Sequence, residues 1–494
     1  MEDVSKQNTE TTGAPQLKKK LGTLGVKPVK VKALMRDKFA FATFRNEEER
    51  EDAIKKINGF VWKGNTLKAK KAKPTADPLL MKRKLAQDDG GEPAEKKGKV
   101  ETEEDQLPVG IRSEHNGKFC ELLEIKPSPV LENYRNKCEF TIGKDINGLD
   151  NTVGFRYGQY RQGTSRVGEP DNVTIIPESM KNVVKSFQAF IRSTEYGAFN
   201  PENHEGHWKM LTVRTCQGPG VLVIADFHPQ NLSQDSIQKV KEDLKNYFGS
   251  GPGSGVGVTS LFFRLSDKTS SNDVEHVLGE KNIEEDLLGM KFKISPNAFF
   301  QVNTLAAEVL YKLVADWCNV SPSTTVLDIC CGTGTIGLTL AKKVSSVVGI
   351  EMCQEAIKDA KCNAQLNDID NVRYYCDKAE NVIGRVMKSV QSSKHVVAVV
   401  DPPRAGLNFK VVQTLRGPRS RIKHLVYVSC NLRGASSNFI DLTRKESKRL
   451  KGVPFRPVKA IPVDLFPQTN HCETVILFER EIPDTDITNS PESP

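Results

Sequence analysis

Three apolar runs in the last third of the chain each end in a chemically loaded position. VLDICCGTGTIG (326–337) passes from a strand into a glycine turn, VVAVVDPPRAG (396–406) stops at Asp401 and two prolines, and HLVYVSCN (424–431) stops at Cys430. Short continuous runs of Val, Ile and Leu suit strands buried on both faces, and such strands belong to parallel sheets covered by helices. Strand ends bearing a glycine loop, a carboxylate and a thiol would converge at the carboxyl edge of that sheet, where open α/β folds bind ligands. The expectation is a nucleotide-type cofactor beside a nucleophilic cysteine.

The surrounding pattern supports this fold. From about 291, SPNAFFQVN leads into the helix TLAAEVLYKLVADWC, and strands and helices then alternate to the closing pair PVKAIPVDL and ETVILFER. This predicts a doubly wound parallel sheet over 291–482 whose last pair forms an antiparallel edge. Residues 113–290 mix strand-like runs such as KCEFTIGK and VLVIADF with helical stretches such as MKNVVKSFQAFIRS, an α+β pattern. Residues 76–112 are charged, punctuated by Gly and Pro and poor in aromatics, and read as a flexible linker. Residues 1–17 and the tail 483–494 read as disordered.

Between 18 and 75 the order strand, strand, helix, short strand fits a partial RNA-recognition motif. DKFAFATF (37–44) matches that motif's central strand, and alternation puts Phe39 and Phe41 on one face, where bases could stack. A hydrophobic strand with core-facing aromatics is the plainer alternative. Residues 1–17 cannot supply the motif's first strand, so this part reads as an amino-terminally shortened domain.

Charge is uneven across the chain. The whole carries +9, yet residues 1–86 hold 21 Lys and Arg against 10 Asp and Glu, so the rest is close to neutral. A basic arm on a neutral body suits a polyanion partner. Two pieces of the central region interleave basic and aromatic residues, YRNK (134–137) and GFRYGQYRQG (154–163). Tyr134, Arg135, Lys137 and Arg156 are therefore candidates for RNA contact, with an ordinary hairpin as the competing reading. No apolar run is long enough to span a membrane, and MEDVSKQNTE does not read as a signal peptide. Eleven cysteines without a CxxC argue against a metal cluster and for reduced thiols in the cytosol or nucleus.

Gly332, Gly334 and Gly337 form a GxGxxG, which dinucleotide and S-adenosylmethionine sites share. Glu351 closes the next strand too soon for a dinucleotide fingerprint, which favours S-adenosylmethionine, with its carboxylate on the ribose hydroxyls. DPP at 401–403 occurs in amino-methyltransferases, where an aromatic follows; here Arg404 follows. Cys430 offers another route. The C5 carbon of uracil is a weak nucleophile until a thiolate adds to C6, after which a base must remove the C5 proton. Glu473 in TNHCETV lies just before the last strand, near the same edge.

FFQVN, DICCGTGTIG, DPPRAG, VYVSCN and NHCETV, in this order across roughly 120–480, resemble the RNA 5-methyluridine methyltransferases. The resemblance implies an α/β fold: a Rossmann-like class I methyltransferase domain preceded by an α+β RNA-binding domain and a partial RRM. It implies Cys430 as nucleophile and Glu473 as base, with Gln301, Cys330, Gly332, Gly334, Glu351 and Asp401 around S-adenosyl-L-methionine. Asp401 could touch the cofactor, the uracil edge or both. The partial RRM points to the eukaryotic tRNA branch, so the implied partner is the T-arm of cytosolic tRNA. An RNA-binding or tRNA-remodelling protein that keeps the fold without the chemistry is the alternative.

Overall fold

The chain is described from a computed structural model covering residues 20–26, 28, 30–33, 40–44, 47–62, 65–71, 119–158, 166–266 and 274–480. Residues 1–17, the linker 76–112, the tail 483–494, Phe39 and the end of GFRYGQYRQG lie outside the described residues. Two compact units divide the chain, residues 1–99 and 100–494.

In the first unit, β1 (Lys30–Ala33) pairs antiparallel with β2 (Ala40–Thr43), with Lys32 opposite Phe41. Helix α1 (Glu47–Ile57) opens on Glu47, Glu48 and Glu49 and closes on Lys55 and Lys56, charges that complement the helix dipole. A hairpin of β3 (Val61–Trp62) and β4 (Asn65–Thr66) follows. Leu21, Val26 and Ala53 form its small buried cluster.

The second unit holds two large sheets. One short strand, β5 (Glu121–Leu122), precedes β6 (Lys137–Gly143), β7 (Thr152–Arg156), β8 (Val167–Gly168), helix α2 (Glu178–Arg192), β9 (Trp208–Thr215), β10 (Val221–Phe227), helix α3 (Gln234–Gly249), β11 (Ser260–Leu265) and β12 (Glu275–Gly279). Strands β6 to β12 make a seven-stranded sheet in the order β12-β11-β10-β9-β6-β7-β8. Its core packs α2 and α3 around Phe187, Trp208 and Phe227. Leu222, Ile224 and Phe262 of the same sheet join a different core. That second core also takes the hairpin β13 (Ile283–Leu287) and β14 (Met290–Ile294) and helix α4 (Thr304–Cys318). The two sheets are thereby welded through shared apolar burial, and the boundary expected near 290 falls inside a hairpin.

Strand–helix alternation then continues: β15 (Thr324–Ile329), α5 (Thr335–Ala341), β16 (Ser346–Glu351), α6 (Gln354–Leu366), β17 (Val372–Cys376), α7 (Ala379–Ser389), β18 (His395–Val400), α8 (Phe409–Arg416), β19 (Ile422–Ser429), α9 (Leu432–Thr443), β20 (Arg456–Val463) and β21 (Glu473–Glu479). The eight-stranded sheet runs β17-β16-β15-β18-β19-β21-β20-β5. Strands β15 to β19 are all parallel, and β15 and most of β18 and β19 are buried along their length. The closing pair is antiparallel, as expected, but it is not the edge. β21 sits between β19 and β20, and Glu121 and Leu122 pair with Lys459 and Ala460 beyond them. The start of the expected central domain thus belongs to this sheet.

Glu285 on β13 is buried beside the buried Arg214 guanidinium, and burial raises its carboxyl from 4.5 to about 7. Between those values the folded chain holds a proton that the unfolded chain releases, so this group makes stability fall as pH rises from about 4.5 to 7. Glu285→Gln cannot titrate, so urea midpoints of wild type and variant should diverge across that window. A constant difference between the two proteins at pH 4.5 and 7.5 would show that Glu285 titrates normally.

Candidate active site

Register alone brings the strand ends together. Ile329 pairs with Ile350 on one side and with Val400 on the other, and Val400 pairs with Tyr427. The residues that follow these strands, Cys330, Asp401 and Cys430, therefore line one edge with Glu351. β21 enters antiparallel with Ser429 opposite Thr474, so the next step of the ladder sets Glu473 beside Cys430.

The glycine turn is built by sterics. Cys330, Gly332 and Gly334 all have positive φ, at 67°, 55° and 81°. The amides of Cys330 and Cys331 both donate to the Ile350 carbonyl, at 2.8 and 3.0 Å, hooking the turn over β16. Gly337 donates its amide to Asp328 Oδ2 at 2.8 Å, and a Cβ there would lie 2.9 Å from the same oxygen. Glu351 accepts the Gly332 amide at 3.2 Å and the Cys353 amide at 2.9 Å, so its carboxylate faces the turn. No heavy atom approaches within 4 Å of a Cβ built on Gly332. An open backbone turn beside a fixed carboxylate fits the adenosyl half of a nucleoside cofactor.

Cys430 precedes Asn431, the N-cap of α9, whose side chain accepts the Gly434 amide at 3.2 Å. A thiol there meets the positive end of the helix dipole. Burial and the Glu473 charge push the thiol up, while Arg404, hydrogen-bonded to it, pulls it down. Burial raises both Asp401 and Glu473, and the Asp401 charge raises Glu473 further against the pull of Arg404. Glu473 Oε2 has no hydrogen-bond partner among the described residues. Two crowded carboxyls, a thiol and one guanidinium form a site whose protons are easily exchanged.

Arg404 owes its place to α9. Asn438 accepts the Leu407 amide at 2.6 Å and the Tyr427 hydroxyl at 2.8 Å, and donates to the Leu407 carbonyl at 2.9 Å. A Cβ on Gly434 would lie 2.0 Å from the Arg404 carbonyl, so the DPPRAG loop lies flat on the helix. Sequence reading took Arg404 only as the lack of an aromatic. It also passed over Asp328 and Tyr311. Burial raises Asp328 to about 7, and the buried Tyr311 hydroxyl accepts from Thr335 Oγ1 at 3.3 Å. A polar residue inside an apolar run was the available signal for both.

Gln301 is buried at the entry to α4, and its carbonyl accepts from Asn136 Nδ2 at 2.9 Å. Asn303, the N-cap of α4, donates to the Leu465 carbonyl at 3.2 Å, just past the Val463 that pairs with Glu473. The start of α4 therefore stands at the same edge.

The RNA candidates scatter. Tyr134 is 7% exposed and donates its hydroxyl to the Pro467 carbonyl at 2.9 Å, so its ring offers no stacking face. That corrects its reading as an RNA contact. Arg135 is half-buried, with its amide on the Ile175 carbonyl. Lys137 pairs with Glu139 at 3.0 Å, and Arg156 is exposed at the end of β7. Phe41 lies on β2 and Phe39 outside the described residues. Among the described residues no group of three or more potential metal ligands occurs, and no helix is long and apolar enough to cross a membrane.

A model of the family described as tRNA (Uracil-5-)-methyltransferase matches residues 268–481. The chain is 45% identical to the tRNA (uracil-5-)-methyltransferase homolog A of Homo sapiens over 515 residues, covering 96% of this chain and 82% of the relative. Against the homolog B of Homo sapiens the identity is 42% over 368 residues, 73% of each chain. Among solved structures it is similar to Pyrococcus abyssi tRNA (uracil-54, C5)-methyltransferase in complex with S-adenosyl-L-homocysteine. There the TM-score is 0.55 at 23% identity, over 76% of this chain and 82% of that one, a likeness of fold.

The turn makes a steric prediction. A Cβ on Gly334 would lie 2.7 Å from the Tyr374 hydroxyl in a left-handed backbone, whereas one on Gly332 meets only the backbone strain. Gly334→Ala should cost about 1–3 kcal/mol and more than Gly332→Ala. Urea unfolding of the two variants checks the order, and equal midpoints would refute the packing argument.

Proposed function

The chain belongs to the tRNA (uracil-5-)-methyltransferase family, and from that premise we propose that it methylates C5 of the T-loop uridine of tRNA through a covalent Cys430–C6 adduct. It is an enzyme that uses S-adenosyl-L-methionine. The observation that carries the mechanism is the β19–β21 ladder, which seats a thiol beside a carboxyl whose Oε2 has no hydrogen-bond partner among the described residues.

The cofactor supplies an electrophilic methyl group. For its binding, Gly332 leaves open backbone, Glu351 would hold the ribose hydroxyls, and Gln301, Cys330 and Asp401 would line the edge. The open turn and the acceptor beside it fit that group.

Cys430 adds its Sγ to C6, and the C5–C6 electron pair becomes available at C5. Arg404 and the α9 terminus hold the thiolate against the neighbouring carboxyls. C5 would take the methyl group, the electron pair of the broken S–CH3 bond staying on the donor sulfur; Glu473 then removes the remaining C5 proton, and the electron pair re-forms the double bond and expels the thiolate. Asp401 shares the protonic load with Glu473. Because the T-loop uridine is packed inside folded tRNA, the base must leave its stack to reach the thiol. Phe39 and Phe41 of the amino-terminal unit, with Arg135, Lys137 and Arg156, are the proposed RNA grips. The eleven cysteines, free wherever the structure describes them, suit work in the cytosol or nucleus. A bystander that only binds RNA has no use for Cys430 and Glu473 in adjoining register.

T-arm RNA carrying 5-fluorouridine should form an adduct that survives denaturation, since fluorine at C5 blocks the last proton removal. Cys430→Ala should abolish it, and Glu473→Gln should trap adduct on ordinary tRNA. Persistence of the adduct without Cys430 would place the nucleophile elsewhere. Labelled methyl donor and unmodified tRNA, followed by nucleoside analysis, test the product.

For the cofactor, Glu351→Ala should weaken S-adenosyl-L-homocysteine binding by about 1–3 kcal/mol by calorimetry. Unchanged affinity would remove Glu351 from the ribose.

A further inference from the structure

The sequence marks Tyr134 as part of a basic, aromatic RNA grip, yet the structure turns it inward together with its neighbour Asn136. Their segment is sewn between the two sheets. The amides of Asn133 and Arg135 donate to the carbonyls of Thr174 and Ile175, at 2.9 and 3.0 Å. The Asn136 amide donates to the Val302 carbonyl at 2.8 Å, and the Asn136 carbonyl accepts from Thr215 at the same distance. Each side chain then reaches a different wall of the catalytic edge.

Asn136 Nδ2 donates to the Gln301 carbonyl at 2.9 Å and to Thr304 Oγ1 at 3.0 Å, fixing the entry to α4. Both of its acceptors are buried, as is Asn136 itself. Tyr134 donates instead to Pro467, in the turn from β20 to β21 that delivers Glu473. That turn has a second tie to the same side of the molecule. Gln468, with φ of 63°, accepts from Thr174 Oγ1 at 2.7 Å and donates to the Leu131 carbonyl at 2.9 Å.

We propose that Tyr134 and Asn136 are positioning residues that set the two halves of the site separately: Asn136 the cofactor side through Gln301, and Tyr134 the proton-removing side through the turn ahead of Glu473. This rests on the roles given above to Gln301 and Glu473. The seven-stranded sheet is then the frame against which catalytic groups are held, in addition to any RNA surface it offers. Ties at Pro467 and Gln468, midway along the connection from β20 to β21, limit the freedom of the chain that leads to Glu473, and misplacement by an ångström costs catalysis far more than it costs folding.

The two arms predict different defects. Tyr134→Phe keeps the ring and removes only the hydroxyl. It should lower kcat roughly tenfold to a hundredfold and let adduct accumulate on ordinary tRNA, with RNA affinity and S-adenosyl-L-homocysteine affinity unchanged. Gln468→Ala, cutting the other tie of the same turn, should behave alike. Asn136→Ala, which removes both of its side-chain hydrogen bonds, should raise the dissociation constant for S-adenosyl-L-homocysteine about tenfold, without adduct accumulation.

Weakened RNA binding with kcat and cofactor affinity intact would overturn the proposal and make both residues RNA contacts. So would activity lost only in proportion to folded protein, with wild-type kcat and KM in the remainder. Should the wild-type chain form no adduct with 5-fluorouridine RNA, the covalent reading fails on its own. The calorimetric and RNA-binding arms still decide the Asn136 half.

Discussion

An antiparallel strand wedged between two neighbours that run the other way determines everything at the catalytic edge. In a purely parallel sheet every strand presents its carboxyl end to the site, and each contributes one residue beyond its last pair. β21 arrives in the opposite sense, so it offers its first residue instead. Glu473 can be both the start of a well-buried strand and a functional group because the ladder from Thr474 onward fixes its backbone. β20 and β5 close the far side, so the wedge is held by pairing on both flanks.

Pairing at that precision places charges where water cannot easily compensate them. Asp401, Glu473 and Cys430 cannot all be anionic in so small a buried volume without large cost. The carboxyls respond by holding protons, and Arg404 offsets part of the remaining charge on both sides. Arg404 can do this only because Gly406 and Gly434 let its loop lie against α9 and Asn438 pins the next residues. A guanidinium on a free loop would be solvated and weakly coupled to the thiol. The loop glycines are therefore part of the electrostatics.

What could be read from the sequence was local. Uninterrupted Val and Ile runs announced buried strands, glycines with a strand before them announced the turn, and residues at strand ends announced the edge. The placement of β21 inside the sheet could not be read, since ladder order is a choice among partners far apart in sequence. β5 pairs with a strand more than 300 residues away, and nothing in EL marks it. Tyr134 failed for the same reason. YRNK has the composition of an RNA grip, but its hydroxyl partner lies 333 residues away in sequence. Composition reports what a side chain can do, and only long-range packing decides which face it is given.

The proton inventory of the site argues for an order of events. Before RNA arrives, a thiolate beside two ionised carboxylates is the least favourable state, so protons sit on the carboxyls and the thiol is largely protonated. On the covalent reading proposed above, a uracil entering the edge offers C6 as a place where the negative charge can leave the sulfur. Addition therefore relieves the crowding that burial created, and the carboxyl that was hardest to ionise beside a thiolate becomes easier to ionise beside a neutral thioether. On the covalent reading, Glu473 becomes a competent base only after Cys430 has been consumed. On that reading a raised carboxyl pKa suits a base that acts late, since the C5 proton can be removed only after addition and methyl transfer.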